Sequence, residues 1–265
     1  PYLTYLRASA SGELLQTEQI EVPGATMIHD FNVTRNFVIF MDLPAVWNFE
    51  GMATTGLPIL WDESYGARLG VMPRNGGNAE VVWYEIDPCY VFHPLNAYEN
   101  GDKIVIDVCR MDDTMKPGSS APPMLHRWTI DQASGRVTET QLDDRVVDFP
   151  RVADAVVGLK HQYGYCAAFA GNAPYGEGLI KYNLETGTSE YRHLDGGQAS
   201  EAVFVKDPAA SGEDGGFLLS YVFQPEIDQS EVLILNAQDM LGEPAARIQI
   251  PARVPAGFHG NWIGD

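Results

Sequence analysis

Cysteine is scarce in this chain: Cys89, Cys109 and Cys166 make three in all, with no C-x-x-C spacing. That odd, scattered set excludes a disulfide framework and a cysteine-held zinc site, and it fits a reducing compartment, the cytoplasm. Positive charge is scarce too. Seventeen Lys and Arg against 36 Asp and Glu leave a formal net charge of −19. Such a surface repels nucleic acid and anionic lipid headgroups, so neither is expected as an electrostatic partner. No apolar run approaches the roughly 18 residues of a transmembrane segment. No long stretch holds a 3.6-residue apolar period, which argues against helical layers. A Ser-His-Asp or Cys-His nucleophile constellation is also missing. The first residue is Pro1 rather than Met, and residues 1–6 read as the middle of a strand. An N-terminal portion is therefore expected to be absent, and the lack of a signal peptide carries no information.

What the chain has instead is short β-rich runs between turns. Residues 37–40, 81–84, 104–108, 178–182, 217–223 and 232–235 carry β-branched and aromatic residues with Gly, Pro and Asn between them, an all-β pattern. Five stretches share the form of a strand, a polar turn with Gly, and a second strand, with turn glycines Gly12, Gly76, Gly135, Gly187 and Gly242. Those glycines are spaced by 64, 59, 52 and 55 residues. Repeats of several short strands at this scale are the signature of propeller blades, some lengthened by loops such as 48–62 and 112–123. A β-sandwich with coincidental hairpins is the alternative.

The stretch Cys89 to Glu99 (CYVFHPLNAYE) sets an imidazole, His93, at the end of an aromatic strand, and Asn100-Gly101-Asp102 supplies a tight turn to the next strand. A lone histidine in such a setting is ordinarily a satisfied core residue. Its setting recurs, however. His29, His93 and His259 each follow a turn glycine by 17 residues, and Asp148 and Glu201 follow theirs by 13 and 14. Equivalent positions in successive blades are related by rotation about one axis, so these side chains should converge near it. Three imidazoles suit Fe, Cu, Zn or Ni, and carboxylates on their far nitrogens would fix tautomer and ring orientation. His126, His161 and His193 fall outside the pattern and read as structural. Arg68 and Arg74 read as ion-pair partners. Phe31, Trp47, Phe92 and Phe258 are candidates to line an apolar tunnel, and Phe92 is taken as a substrate contact.

Several motifs in register along essentially the whole chain then resemble one family. They are Met27 to Thr34 followed by Asn36 to Pro44, Trp61 with Gly66 to Arg74, Phe92 to Glu99, Asp148-Phe149-Pro150-Arg151, Ser200 to Val205, and Gly257-Phe258-His259-Gly260. This set is similar to the carotenoid cleavage oxygenases, whose relatives include lignostilbene dioxygenases and the retinal isomerohydrolase. The resemblance implies a seven-bladed β-propeller with non-haem iron, Fe(2+), on its axis, held by four histidines. His29, His93 and His259 look like three of them, with the first lying upstream. It implies that residues 1–265 form a single domain, about five blades and the C-terminal part of the propeller.

Glu201 matches the glutamate that supports the last histidine. Asp148 departs from the usual glutamate. Being one methylene shorter, it is expected to stand farther from His93 than Glu201 does from His259, or to reach it through water. The implied activity is dioxygenase cleavage of a conjugated C=C bond in a carotenoid or apocarotenoid, with O2 as co-substrate and two carbonyl products. Residues 57–62 and 65–68 look closer to the carotenoid-cleaving members. A lignostilbene-type dioxygenase on the same metal, or an inactive propeller fragment, remain the alternatives. Any peripheral membrane contact is left to the absent region, and the 265 residues alone are expected to be a poor enzyme.

Overall fold

The computed structural model describes residues 2–116, 121–171, 173, 175–199, 201–255 and 257–264. Pro1, part of the 112–123 loop, and Ser200 of the motif beside Glu201 lie outside the described residues. The described chain is nearly all β: apart from strands it has one helical turn, Met52–Thr55, and two 3₁₀ turns, Asn78–Glu80 and Asp154–Val156.

All five turn glycines join two antiparallel strands. Gly12, with φ +83°, turns Leu3–Ala8 into Leu14–Ile20. Gly76 lies between Arg68–Pro73 and Val82–Glu85, where the 3₁₀ turn delays the strand expected from residue 81. Gly135 joins Met124–Asp131 to Arg136–Arg151, Gly187 joins Gly178–Asn183 to Thr188–His193, and Gly242 lies between Gln229–Asn236 and Ala246–Ile250. The Gly12 hairpin is a two-stranded sheet of its own, and each of the other four closes a meandering antiparallel sheet. The sheet built from Asn32–Val33, Phe37–Asp42, Arg68–Pro73 and Val82–Glu85 has four strands. The next is Tyr90–Asn100, Lys103–Met111, Met124–Asp131 and the first part of Arg136–Arg151. This succession of small radial sheets is the all-β propeller pattern.

Arg136–Arg151 is 16 residues long and belongs to two sheets. Residues 136 to 146 pair outward with Met124–Asp131, and from Val147 to Arg151 the same strand pairs with Tyr163–Ala168. Its burial follows: the polar start is exposed, and buried positions appear only toward Val147 and Pro150. The strand therefore carries the chain from the rim of one sheet to the inner end of the next, and Asp148 sits just past the crossing.

Inner strands are covered on both faces and read accordingly. Lys103–Met111 is buried at every residue after the first. Its apolar members Ile104, Ile106 and Val108 pack with Trp128 and Ile130 in the largest core cluster, each fully buried aliphatic stabilising by about 1.5–3 kcal/mol. The polar members are paired rather than orphaned: Asp107 receives two bonds from Arg127, at 2.7 and 2.9 Å. Arg68 gives buried Asp42 one bond, from Nε to Oδ2 at 2.8 Å, while its guanidinium lies 3.9 Å over the Trp83 ring. That stack fixes its neighbour, because a Cβ on Gly70 would stand 2.5 Å from the Trp83 ring.

The inner edge of the last sheet is broken. Gln198–Ala199 and Val203–Lys206 both pair with Gly216–Gln224, and Glu201 lies in the gap between them, 6% exposed. Interrupting the ladder there turns a side chain inward without using a sheet hydrogen bond.

Candidate metal centre

The three histidines of the 17-residue spacing lie side by side. The rings of His29 and His93 are 5.0 Å apart at 88°, and those of His93 and His259 are 4.9 Å apart at 74°. Two imidazoles in adjacent positions on one ion would have centroids about 4.5–5 Å apart at metal–nitrogen distances of about 2.1 Å. Among the described residues, no group of three or more His, Cys, Asp or Glu side chains forms a ready ion cage. The chain itself supplies adjacent, oriented rings.

Different parts of the fold orient each ring through Nδ1. For His29, which precedes Asn32–Val33, the partner is the backbone carbonyl of Phe92 at 3.1 Å. A carbonyl only accepts, so Nδ1 of His29 must carry the proton and Nε2 keeps its lone pair. In the strand Tyr90–Asn100, His93 places Nδ1 2.8 Å from Oδ1 of Asp148. His259, in the strandless terminal segment, places Nδ1 3.2 Å from Oε2 of Glu201, whose Oε1 also accepts the Gly260 N–H. Nε2 of His93 is buried without any hydrogen-bond partner, a costly condition for a lone pair unless something else occupies it. Burial, followed by the nearby His93, lowers the pKa of His29 and keeps its ring neutral. Asp30 shares the site. Desolvation lifts its carboxyl above the usual range, opposed by the N–H of Phe31 donating to Oδ1 at 2.7 Å.

Asp148 corrects the sequence expectation. Its bond to His93 is direct and, at 2.8 Å, shorter than the 3.2 Å between Glu201 and His259. The missing methylene is made up by the backbone. Pairing with Tyr163–Ala168 shifts register between Asp148 and Arg151, and Phe149 takes φ +53°. A left-handed residue of this kind costs about 1–3 kcal/mol. Here it swings Asp148 toward the ring, and the Phe149 N–H donates to the same Oδ1 at 2.9 Å.

Phe149 and Arg151 were not singled out by sequence reasoning. The Phe149 ring stands 5.0 Å from His93 and 5.7 Å from His259. Nη2 of Arg151 reaches Gly260 O at 3.3 Å and Asn261 Oδ1 at 3.0 Å, and its Nε is 4.0 Å from Glu201. Both belong to the quoted Asp148-Phe149-Pro150-Arg151 motif, but their partners are too distant in sequence for spacing to reveal them.

Two cavities lie near the rings. One of about 370 Å³ is lined by Asp30, Asn96, Arg151, Glu201, His93 and His259 among others. The second, of about 260 Å³, has Phe92, Met111, Met115, Phe149 and Phe169 in its wall, together with Asp148. Phe92 thus faces a cavity while also packing on His29 at 5.3 Å and Tyr90 at 4.8 Å. Phe31 lines the first cavity, Trp47 stacks on Phe49, and Phe258 is 73% exposed.

The remaining histidines stand apart from this cluster. His161 is buried against Asn96 at 3.1 Å and Asp107 at 3.7 Å. His126 lies 3.8 Å from Glu139, and His193 is exposed beside Asp195. Asn96 and Glu99 of the His93 strand have structural roles. The Asn96 amide ties down Val156, Gly158 and Leu159, and the Glu99 carboxylate holds Thr34 and Asn36 at 2.6 to 2.9 Å.

An all-β array of small antiparallel sheets with three oriented imidazoles side by side defines a β-propeller class of protein with a candidate metal centre. Comparison with known proteins gives the family. The model of the family described as RPE65, retinal pigment epithelial membrane protein, matches residues 1–264. The chain is 36% identical to a carotenoid cleavage oxygenase of Mycobacterium tuberculosis, over 97% of this chain and 62% of that protein. It is 32% identical to a carotenoid 9,10(9',10')-cleavage dioxygenase of Crocus sativus, over 100% of this chain and 53% of that protein. The crystal structure of cobalt-substituted Synechocystis ACO superposes with a TM-score of 0.90 at 29% identity, covering 99% of this chain and 58% of that one. The chain belongs to the RPE65/carotenoid cleavage oxygenase family, and it spans little more than half the length of these relatives. Among the described residues, no helix is long and apolar enough to cross a membrane.

Proposed function

We propose that this chain carries three of the iron-holding histidines, and much of the substrate cavity, of a dioxygenase that cleaves a conjugated C=C bond of a carotenoid or apocarotenoid. The observation that carries the reading is the set of imidazoles tied at Nδ1, with Nε2 of His93 buried and unpartnered. Neutral imidazoles with free Nε2 atoms suit a divalent transition metal such as Fe(2+). The cobalt-substituted relative supports a metal of that class. His29, His93 and His259 would hold it, and a fourth imidazole, implied by the resemblance, has no counterpart among His126, His161 and His193. We infer that it comes from outside these 265 residues, which would form one domain with the rest of the propeller. The chemistry such an iron supplies is reaction of O2 with the adjacent double bond, one oxygen atom ending in each of two carbonyl products.

The protein's own share is positional. Phe92 O, Asp148 and Glu201 hold the proton on Nδ1 of their histidines, so that each Nε2 keeps its lone pair. Phe92, Met111, Met115, Phe149 and Phe169 give a polyene an apolar wall and exclude water beside the rings. No side-chain acid or base is required. The cysteines are free and buried, in keeping with the cytoplasmic setting we infer.

The test is metal-dependent O2 uptake with analysis of carbonyl products, offering the intact protein an apocarotenoid and a hydroxystilbene. Two carbonyl fragments from the apocarotenoid, lost in His93→Ala, are expected. Products from the stilbene alone would move the assignment to the lignostilbene-type enzymes, and products from neither would end the dioxygenase reading.

A further inference from the structure

The segment that carries His259 has no strand to hold it. After Ala246–Ile250 the described chain runs without secondary structure to residue 264, with Phe258, Trp262 and Ile263 exposed at 73, 53 and 87%. The Ser230 N–H donates to Ala252 O, and the Val254 N–H donates to Ser230 Oγ, anchoring its start. Near the histidine two side chains grip it. Glu201 takes the Gly260 N–H and His259 Nδ1. Arg151 takes the next two acceptors, Gly260 O and Asn261 Oδ1, and places Nε 4.0 Å from Glu201.

We propose that Arg151 is the positioning residue for His259, and that the strand end 148–151 is a single gauge setting two histidines against each other. Asp148 orients His93, Phe149 stands against both rings, and Arg151 latches the segment of His259. The three act from four consecutive residues around one left-handed backbone turn. Displacement of this strand end moves both imidazoles together, so their separation is kept. An arginine suits the task because one planar guanidinium donates to two acceptors from one nitrogen while its Nε faces a carboxylate. Lysine, with a single flexible ammonium, reaches the acceptors without that fixed plane.

This inference rests on the metal-binding reading for its affinity readout, so the test carries a second readout that does not. In the intact protein, Arg151→Ala, Arg151→Lys and His259→Ala are titrated with cobalt(II) alone, followed by visible absorption. Amide exchange of residues 257–262 is measured without metal. Arg151→Ala should weaken cobalt binding about 10-fold, as loss of a group supporting a ligand does. It should also speed exchange at Gly260 about 10-fold or more, and Arg151→Lys should fall between it and the unaltered protein in both. Unchanged exchange at Gly260 in Arg151→Ala would overturn the latch whatever the metal does. Faster exchange with unchanged cobalt affinity would overturn the role in positioning His259. If His259→Ala itself leaves cobalt binding intact, the metal reading fails, and exchange alone then decides whether Arg151 latches the segment.

Discussion

Replacing Glu201 by glutamine changes no side-chain volume to speak of and should still disable His259. The single amide oxygen can take over the Gly260 N–H. The other position becomes an NH2 group facing the Nδ1 that now lies 3.2 Å from Oε2. Two donors meet unless the ring moves its proton to Nε2, and that tautomer has no lone pair to offer a metal. The bond lost is charge-assisted and, with Glu201 only 6% exposed, poorly replaced by water. Such bonds contribute about 1.5–3 kcal/mol. At about 1.4 kcal/mol per factor of ten, cobalt(II) or iron(II) affinity should fall about 10- to 100-fold. Cobalt titration by visible absorption measures it, with the thermal midpoint of the metal-free protein as the check that the fold survives. Glu201→Gln with unaltered affinity and an unaltered midpoint would refute the reasoning, because the tautomer would then not matter.

The same logic at His93 makes Asp148→Asn at least as damaging to cobalt affinity. Asp148→Glu should also weaken it, by up to about 10-fold, because an extra methylene overpacks a contact already closed at 2.8 Å; stronger binding would contradict this. Acid should destabilise the metal-free protein. Burial above all lowers the pKa of His126 and His161 from 6.5, so the unfolded chain binds their protons first. Stability is then full above pH 6.5 and declines as pH falls through the depressed folded values, and equal urea midpoints at pH 7.5 and 5.5 would contradict the assignment. Gly70→Ala should cost about 1–3 kcal/mol, because its Cβ would meet the Trp83 ring at 2.5 Å; a thermal melt with an unchanged midpoint would show that Trp83 and Arg68 move aside freely.

The hairpins could be read in the sequence because each outer turn is local, a glycine such as Gly135 with φ +71° between two alternating runs. The adjacency of the histidines was legible for a related reason: repetition lets a count from one turn stand in for a position around an axis. What counting could not see is the backbone between. Nothing in Asp148-Phe149 announces a left-handed phenylalanine, so Asp148 was expected to fall short of His93 when it makes the shorter of the two carboxylate contacts. Arg136–Arg151 was obscured by its own composition, since its charged first part belongs to an exposed rim and its last residues to a covered inner edge. The break at Glu201 looked like loop because Gly196 and Gly197 precede it. Arg151 is bonded to residues 109 and 110 positions away, and a pairing of that range leaves no local trace.

The hydrogen bonds that orient the three histidines join residues 63, 55 and 58 positions apart, each crossing from one part of the array to the next. Contacts of such sequence separation bear the full entropy of closing a long loop, and they form only when the intervening sheets are already in place. The centre is thus among the last things this chain makes as it folds. A partly folded chain would have its hairpins but no aligned Nε2 atoms, and so would lack the site proposed above. On the metal-binding reading proposed above, metal uptake would therefore double as a report that the sheets have docked, one an experimenter could read from the metal alone.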